Sequence, residues 1–396
     1  MALIFESTAI QRDPASTATH VLLIGCETYP KMAAAGFGDG TPLGSPRRSV
    51  EAMADWFLGG ADGMNPTPGR PSDEAFNNPD APLGSVEMLA SPDGDYTTPA
   101  NVVKAVARST LPNVRAAYKR WLKRLAANPQ SRGVFYFCGH GVGDGVDQYL
   151  ICDDFGEDED DPWEAAFHVS NTCQVSIRKA RANLLFLIDA CMEFSPQVLF
   201  QIAEPKPIFN GARTGDPLCS DWAVLRATTT NRLAYADPSG TACFTTALLQ
   251  ALRGHCGQQR PGPALQFDVT ASQLRAATAL LLARLQTPGD DNAQKIGSPQ
   301  GEGAWSLPLH VLNRRPSVLV ELDVDPRGFR PVAQAFIERY DVPRDSRALT
   351  SAGPAMFVVA QGEWTYGVGG GFAEQSEAGR LLTQAVYSRC FLVPNN

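Results

Sequence analysis

Two short segments of this chain end in residues able to do covalent chemistry. Phe135-Tyr136-Phe137-Cys138-Gly139-His140-Gly141 is an apolar run closing on a histidine between glycines. Leu184-Leu185-Phe186-Leu187-Ile188-Asp189-Ala190-Cys191 is a second apolar run closing on Asp-Ala-Cys. A thiol is a weak nucleophile near pH 7, since its ordinary pKa is ~8.5, unless a neighbouring base draws off its proton. An imidazole can take that proton and later give it to a leaving group. Cys191 as nucleophile and His140 as acid/base therefore make a self-sufficient dyad that needs neither metal nor organic cofactor. A lone cysteine at a strand end is usually a packing residue, and a lone histidine in a loop is usually solvated. The two motifs together, in this order and fifty-one positions apart, are more specific.

For the pair to meet, both runs must be strands of one sheet. Near-continuous apolar runs also cover His20–Cys26, Ser85–Ala90, Gly133–Cys138, Leu184–Asp189 and Trp222–Thr228, the pattern of strands buried on both faces. Helical patterns alternate with them at Ser49–Leu58, Ala100–Ala127 (broken at Pro112), Thr172–Ala182 and Cys243–Arg253. Alternation of this kind predicts an α/β sandwich, with ligand sites at the carboxyl edge of the strands. Gly59–Gly84 and Thr287–Gly303 are rich in Gly, Pro and Asn and read as surface loops.

The order changes after Arg314–Pro316. Ser317–Asp323 reads as strand, Pro331–Tyr340 as helix, Ala355–Gln361 with Trp364–Val368 as a hairpin, Ser376–Ser388 as helix and Cys390–Val393 as strand. That β-α-β-β-α-β order predicts a C-terminal α+β accessory domain of ferredoxin-like type over 313–396, following a first domain over 1–312.

Composition narrows the function. Apolar residues make up 44% and charged residues 19% of the 396, as in soluble globular proteins. A net charge of −8 argues against a nucleic-acid binder. No apolar run approaches the ~20 residues of a membrane span, and the first residues lack a signal-peptide pattern. Nine cysteines without zinc-type spacing fit reduced, mostly structural thiols and a cytoplasmic location. Arg outnumbers Lys, a bias associated with GC-rich bacteria.

Together, HVLLIGCETYP, PLGSPRRSVEAMADWF, YFCGHG, LIDAC and RATTTNRLAYADPSGTACFTTALLQALRG resemble the caspase and metacaspase group of clan CD cysteine peptidases, bacterial type, over roughly residues 20–312. The resemblance implies a caspase-like α/β/α sandwich with a mostly parallel central sheet. It implies a peptidase cleaving protein substrates through Cys191 and His140, with the amides of Gly141 and Cys191 as oxyanion hole. By analogy with bacterial relatives it also implies a stress or defence pathway. A non-catalytic caspase-like scaffold is the alternative, and retention of both Cys191 and His140 counts against it. The C-terminal region would bind a regulatory partner or substrate.

In metacaspases and paracaspases the acid two residues before the nucleophile helps a pocket select Arg or Lys at P1. Asp189 occupies that place here, with Arg47, Arg48, Ser49 and Thr229 as further pocket residues. The departure is at the second acidic position, where Ser49 stands after Arg47 and Arg48. Either arginine could neutralise Asp189 or build a basic pocket of caspase type, and Asp189 could instead be bonded to local amides. Met192 and Glu193 also depart from the family's residues after the nucleophile. The linker 194–221 is rich in helix breakers, and Arg213 within it is the candidate self-cleavage site. The acidic run 153–161 is the densest charge cluster. It reads as a solvated loop, with Ca²⁺ at Asp153, Asp154 and Asp158 as the alternative implied by calcium-activated metacaspases.

Overall fold

A computed structural model describes residues 2–37, 40–59, 74–143, 147–194, 206–212, 214–228, 240–286, 293–297, 300–302, 307–351 and 353–393. A seven-stranded sheet organises the first three-quarters. Its strands are β1 (Leu3–Glu6), β2 (Thr19–Cys26), β3 (Leu83–Ser91), β4 (Arg132–Gly139), β5 (Asn183–Ala190), β6 (Trp222–Arg226) and β7 (Gln300–Glu302), in the spatial order β1-β3-β2-β4-β5-β6-β7. The five central strands are mutually parallel, and β1 and β7 close the two edges antiparallel.

Every residue of β2, β3 and β4 is buried, because helices cover both faces. The pleat deals successive side chains into two cores. Val21, Leu23, Val134, Tyr136, Leu185 and Leu187 enter the core with α1 (Pro46–Leu58), α2 (Cys243–Gln250) and α3 (Ala271–Arg284). Leu22, Ile24, Phe135, Phe137, Phe186 and Ile188 enter the opposite core, with the helices Leu111–Ala127 and Val169–Ser176. At ~1.5–3 kcal/mol for each large apolar side chain, both cores resist any strand slip.

The expected strands all form. Two helices differ from the expectation, and the expected loop Thr287–Gly303 carries the edge strand β7; the helix expected over Thr172–Ala182 is Val169–Ser176. Pro112 does not break a helix spanning Ala100–Ala127; it sits in the first turn of Leu111–Ala127, where its missing N–H costs nothing. The Leu111 amide is met by Asp154 Oδ1 at 2.8 Å. Residues Val103–Val106 instead pair with Gly94–Thr97 as a small ribbon.

The C-terminal region corrects the α+β, ferredoxin-like expectation. It is a β-sandwich, with no α-helix among its described residues. One sheet joins β8 (Ser317–Asp325), β11 (Ala355–Ala360) and β14 (Val386–Leu392) in the order β11-β8-β14. The other joins β9 (Ala333–Arg339), β10 (Val342–Ala348), β12 (Gly362–Gly370) and β13 (Gln375–Leu382) in the order β10-β9-β12-β13. Where a helix was expected over Pro331–Tyr340, the chain makes a 3₁₀ turn through Pro331, and then Ala333, Ala335 and Ile337 face inward with period two. The expected Ser376–Ser388 helix is divided between β13 and β14, with Gly379 at φ +65°. Nor do Ala355–Gln361 and Trp364–Val368 pair as a hairpin. The chain crosses between the sheets at Gly362, whose φ of +151° suits glycine. The sandwich touches the first region through Arg284 Nε on Glu321 at 2.8 Å, and through Ala385 in the α1–α3 core.

One ion cluster ties β3 to the Leu111–Ala127 helix. Glu87 is fully buried and accepts from Arg120 at 2.6 Å and Arg124 at 2.5 Å. Glu87→Gln should lower unfolding free energy by about 2–4 kcal/mol, since it strips a buried charge pair of one partner. Urea denaturation checks this, and a loss below about 0.5 kcal/mol would mean the cluster contributes nothing.

Candidate active site

The dyad is set by strand register. β4 and β5 run parallel with Cys138 beside Asp189 and Gly139 beside Ala190. Beyond the sheet's edge the chains continue as the short strands Gly141–Gly143 and Glu193–Phe194, parallel again, with Val142 beside Glu193. The offset is the same on both sides, so His140 and Cys191 stand opposite one another between two registered pairs. Neighbouring strands lie ~4.8 Å apart, and matched residues on parallel strands project to one face. Both residues are half-buried, at the carboxyl edge.

The glycines serve packing within the chain. A Cβ on Gly139 would lie 2.7 Å from the Tyr29 hydroxyl, and one on Gly141 would lie 2.6 Å from the Cys191 carbonyl oxygen. Any larger residue at either place would push the two motifs apart. The hairpin formed by Gly141–Gly143 and Gln148–Ile151 orients the Gly141 amide. Ile151 N–H donates to the His140 carbonyl at 3.1 Å, which makes Gly141 and Leu150 a non-hydrogen-bonded pair. The Gly141 amide therefore faces the Cys191 side.

Several groups grip the turn at Cys191. Gln148, fully buried, donates its side-chain amide to the carbonyls of Ala190 at 3.1 Å and Cys191 at 2.7 Å. Thr228 Oγ1 donates to the Ala190 carbonyl at 3.2 Å. Behind Gln148, the buried Asp147 accepts from Arg226 at 2.7 Å and from the Ser170 amide at 3.0 Å.

Asp189 lies under the dyad, 2% exposed. Its Oδ2 accepts from the Thr245 amide at 3.2 Å and from Thr245 Oγ1 at 2.6 Å, while its buried Oδ1 has no partner among the described residues. Burial pushes its pKa up to about 7, although the Thr245 bonds oppose this. Of the other pocket residues, Arg47 directs its guanidinium to Glu51, to the Pro92 carbonyl at 2.5 Å and to the Asp95 carbonyl at 2.9 Å. Arg48 is exposed. Ser49 is buried and accepts from the Ala242 amide at 3.0 Å, joining α1 to the start of α2. Thr229 and Arg213 lie outside the described residues.

In the acidic run, Asp153 is buried and paired with Arg108, Nε to Oδ2 at 3.0 Å. Asp154 meets the Leu111 amide, and Asp158 Oδ1 accepts from the Asp160 amide at 2.9 Å. Among the described residues no group of three or more His, Cys, Asp or Glu side chains is disposed to hold a metal ion. Six other thiols lie in the cores, Cys243 is half-buried and Cys390 is exposed. Burial pushes Cys26 and Cys256 up to about 12 and raises Cys138 and Cys152 as well. No helix among the described residues is long and apolar enough to cross a membrane.

Tyr29, Gln148 and Thr245 escaped the sequence reading. Tyr29 and Thr245 fall inside segments that carried the family resemblance, but nothing local marks their contacts, which span 111 and 56 residues. Gln148 opens the short strand Gln148–Ile151, which no sequence signal marks.

A parallel sheet with a Gly-His-Gly strand end beside an Asp-Ala-Cys strand end defines a caspase-type fold. The family model for the caspase domain matches residues 18–276, and the chain belongs to that peptidase family. Its particular kin include the uncharacterized protein y4kE of Sinorhizobium fredii (strain NBRC 101917 / NGR234), 50% identical over 346 residues, 86% of this chain and 99% of that protein. Caspase-1 from Spodoptera frugiperda superposes with a TM-score of 0.40 at 10% identity, covering 72% of this chain and 86% of that one.

Because the folded state holds the Asp189 proton to about pH 7 while a free carboxyl ionises near 3.8, Asp189 favours folding fully below about pH 4. That contribution is lost as pH rises through 7. Asp189→Asn should match the wild type within about 1 kcal/mol at pH 4 and be more stable at pH 8, by at most about 4 kcal/mol. Denaturation of both proteins at the two pH values checks this; a gap that does not widen with pH would contradict it.

Proposed function

We propose that this chain is a cysteine endopeptidase cleaving protein substrates after Arg or Lys. The observation that carries the reading is the matched register that sets Cys191 beside His140 at the sheet's carboxyl edge. His140 takes the thiol proton, and the thiolate attacks the scissile carbonyl. The amides of Gly141 and Cys191 receive the oxygen as it gains charge, each worth about 3–4 kcal/mol where such donors have been measured. His140 returns the proton to the leaving amine, and water then releases the acyl group from Cys191 by the reverse sequence. The scheme uses no metal or organic cofactor. Regulation through the C-terminal sandwich, action in the cytoplasm and a place in a bacterial stress or defence pathway follow from the family analogy.

Basic P1 selection is supported by Asp189. Its Oδ1 is a buried acceptor with no protein partner among the described residues. A guanidinium brought by substrate would hold the carboxylate ionised and offset its burial.

Cys191→Ala and His140→Ala should each lower kcat/KM for peptide cleavage by at least about 10³-fold, with thermal midpoints within a few degrees of wild type. A search for new protein termini made by wild type and not by Cys191→Ala reads the activity on natural substrates. Full activity in either variant would sink the mechanism.

KM for Arg-ending substrates should fall as pH rises through about 7, because only the ionised Asp189 pairs with the cation. Asp189→Asn should remove both the pH trend and the preference. A peptide library showing preference for Asp at P1 would overturn the pocket assignment.

A further inference from the structure

We propose that Tyr29 is a positioning residue for His140, fixing the imidazole against the Cys191 thiol; the role rests on the dyad reading above. His140 stands just past the end of β4, where the ladder to β2 has already stopped at Cys138. The ladder to β2 therefore does not reach its amide. Tyr29, from the loop after β2 and 3% exposed, supplies the acceptor: His140 N–H donates to Tyr29 Oη at 2.7 Å. The same hydroxyl donates to the Ile151 carbonyl at 3.4 Å, and the Ile151 amide donates back to the His140 carbonyl at 3.1 Å. One hydroxyl thus takes the His140 N–H and joins the strand end to Ile151, whose own amide holds the His140 carbonyl.

The ring adds a second restraint. Tyr29 and the His140 imidazole lie with centroids 4.8 Å apart, tilted by 50°. Gly139 supplies the space for this approach, since any side chain there would collide with the hydroxyl. Burial and nearby thiols raise the Tyr29 pKa well above 10, so the hydroxyl remains neutral and able both to donate and to accept. Without these restraints the backbone and ring of His140 gain freedom, and misplacement by ~1 Å can cost ~10² in rate.

The test uses the full chain and a probe that needs no peptide substrate. Iodoacetamide alkylation of Cys191 is followed by peptide mass from pH 5.5 to 9.5. Below pH 7 a lone thiol of ordinary pKa ~8.5 is largely protonated, so the rate there reads help from the imidazole. Tyr29→Phe keeps the ring and removes the hydroxyl. It should slow alkylation at pH 6 by about 10-fold, with the difference vanishing by pH 9.5 and the thermal midpoint shifted by only a few degrees. Placed on a His140→Ala background, Tyr29→Phe should change nothing further. Should the larger change Tyr29→Leu unfold the protein, the Phe variant still decides. Alkylation of Tyr29→Phe within twofold of wild type, or equal slowing with and without His140, would overturn the proposal. If wild type cleaves no peptide yet its alkylation depends on both His140 and Tyr29, the peptidase reading falls and the positioning role stands. Alkylation that ignores His140 overturns both.

Discussion

Everything at the site depends on the parallel registration of β4 against β5. Residues at matched positions share a face, so a slip of one residue would send His140 and Cys191 to opposite faces and turn Asp189 away from Thr245. The two cores prevent that slip. Tyr136 and Leu187 are held in one core, and Phe135 and Phe186 in the other, so any shift would exchange large side chains between environments already filled. The apolar residues of these strands therefore fix the placement of His140 and Cys191 without lying in the site.

Where the ladder ends, the chain must leave the sheet while keeping its backbone groups satisfied in a buried setting. Small residues and long-range donors solve this together. Gly139 admits the Tyr29 hydroxyl, Gly141 admits the Cys191 carbonyl, and Gln148 and Thr228 take up the carbonyl of Ala190. Asp189 is the exception, with one oxygen satisfied by Thr245 and the other without a partner among the described residues. A buried acceptor without a partner is costly to the resting protein, and such a cost is tolerated where a ligand can relieve it.

The C-terminal sandwich is a separate solution to burial. Val318, Val320, Leu322 and Val324 point inward while the residues between them stay half-exposed, and Arg344 lies over the Phe336 ring at 3.6 Å. Its contacts with α3 and with the α1–α3 core join it to the side of the main sheet opposite the Leu111–Ala127 helix.

The sequence alone determined the five central strands of the main sheet, because burial on both faces leaves uninterrupted apolar runs that no neighbour can disguise, whereas the short edge strands β1 and β7 carry no such run. It also brought His140 and Cys191 forward as a candidate pair, because Gly-His-Gly and Asp-Ala-Cys close two such runs, and the register of β4 against β5 sets the two residues side by side. It misled over Pro331–Tyr340 and Ser376–Ser388, where short amphipathic stretches carry both periodicities and the facing sheet chose period two. Only the tertiary structure decided what surrounds the dyad. Tyr29 reaches His140 across 111 residues, Gln148 reaches Cys191 across 43, and Arg47 turns to the carbonyls of Pro92 and Asp95 and away from Asp189. Such contacts join residues with no local pattern in common, so their partners are set by how the strands stack and not by the residues near them in the chain.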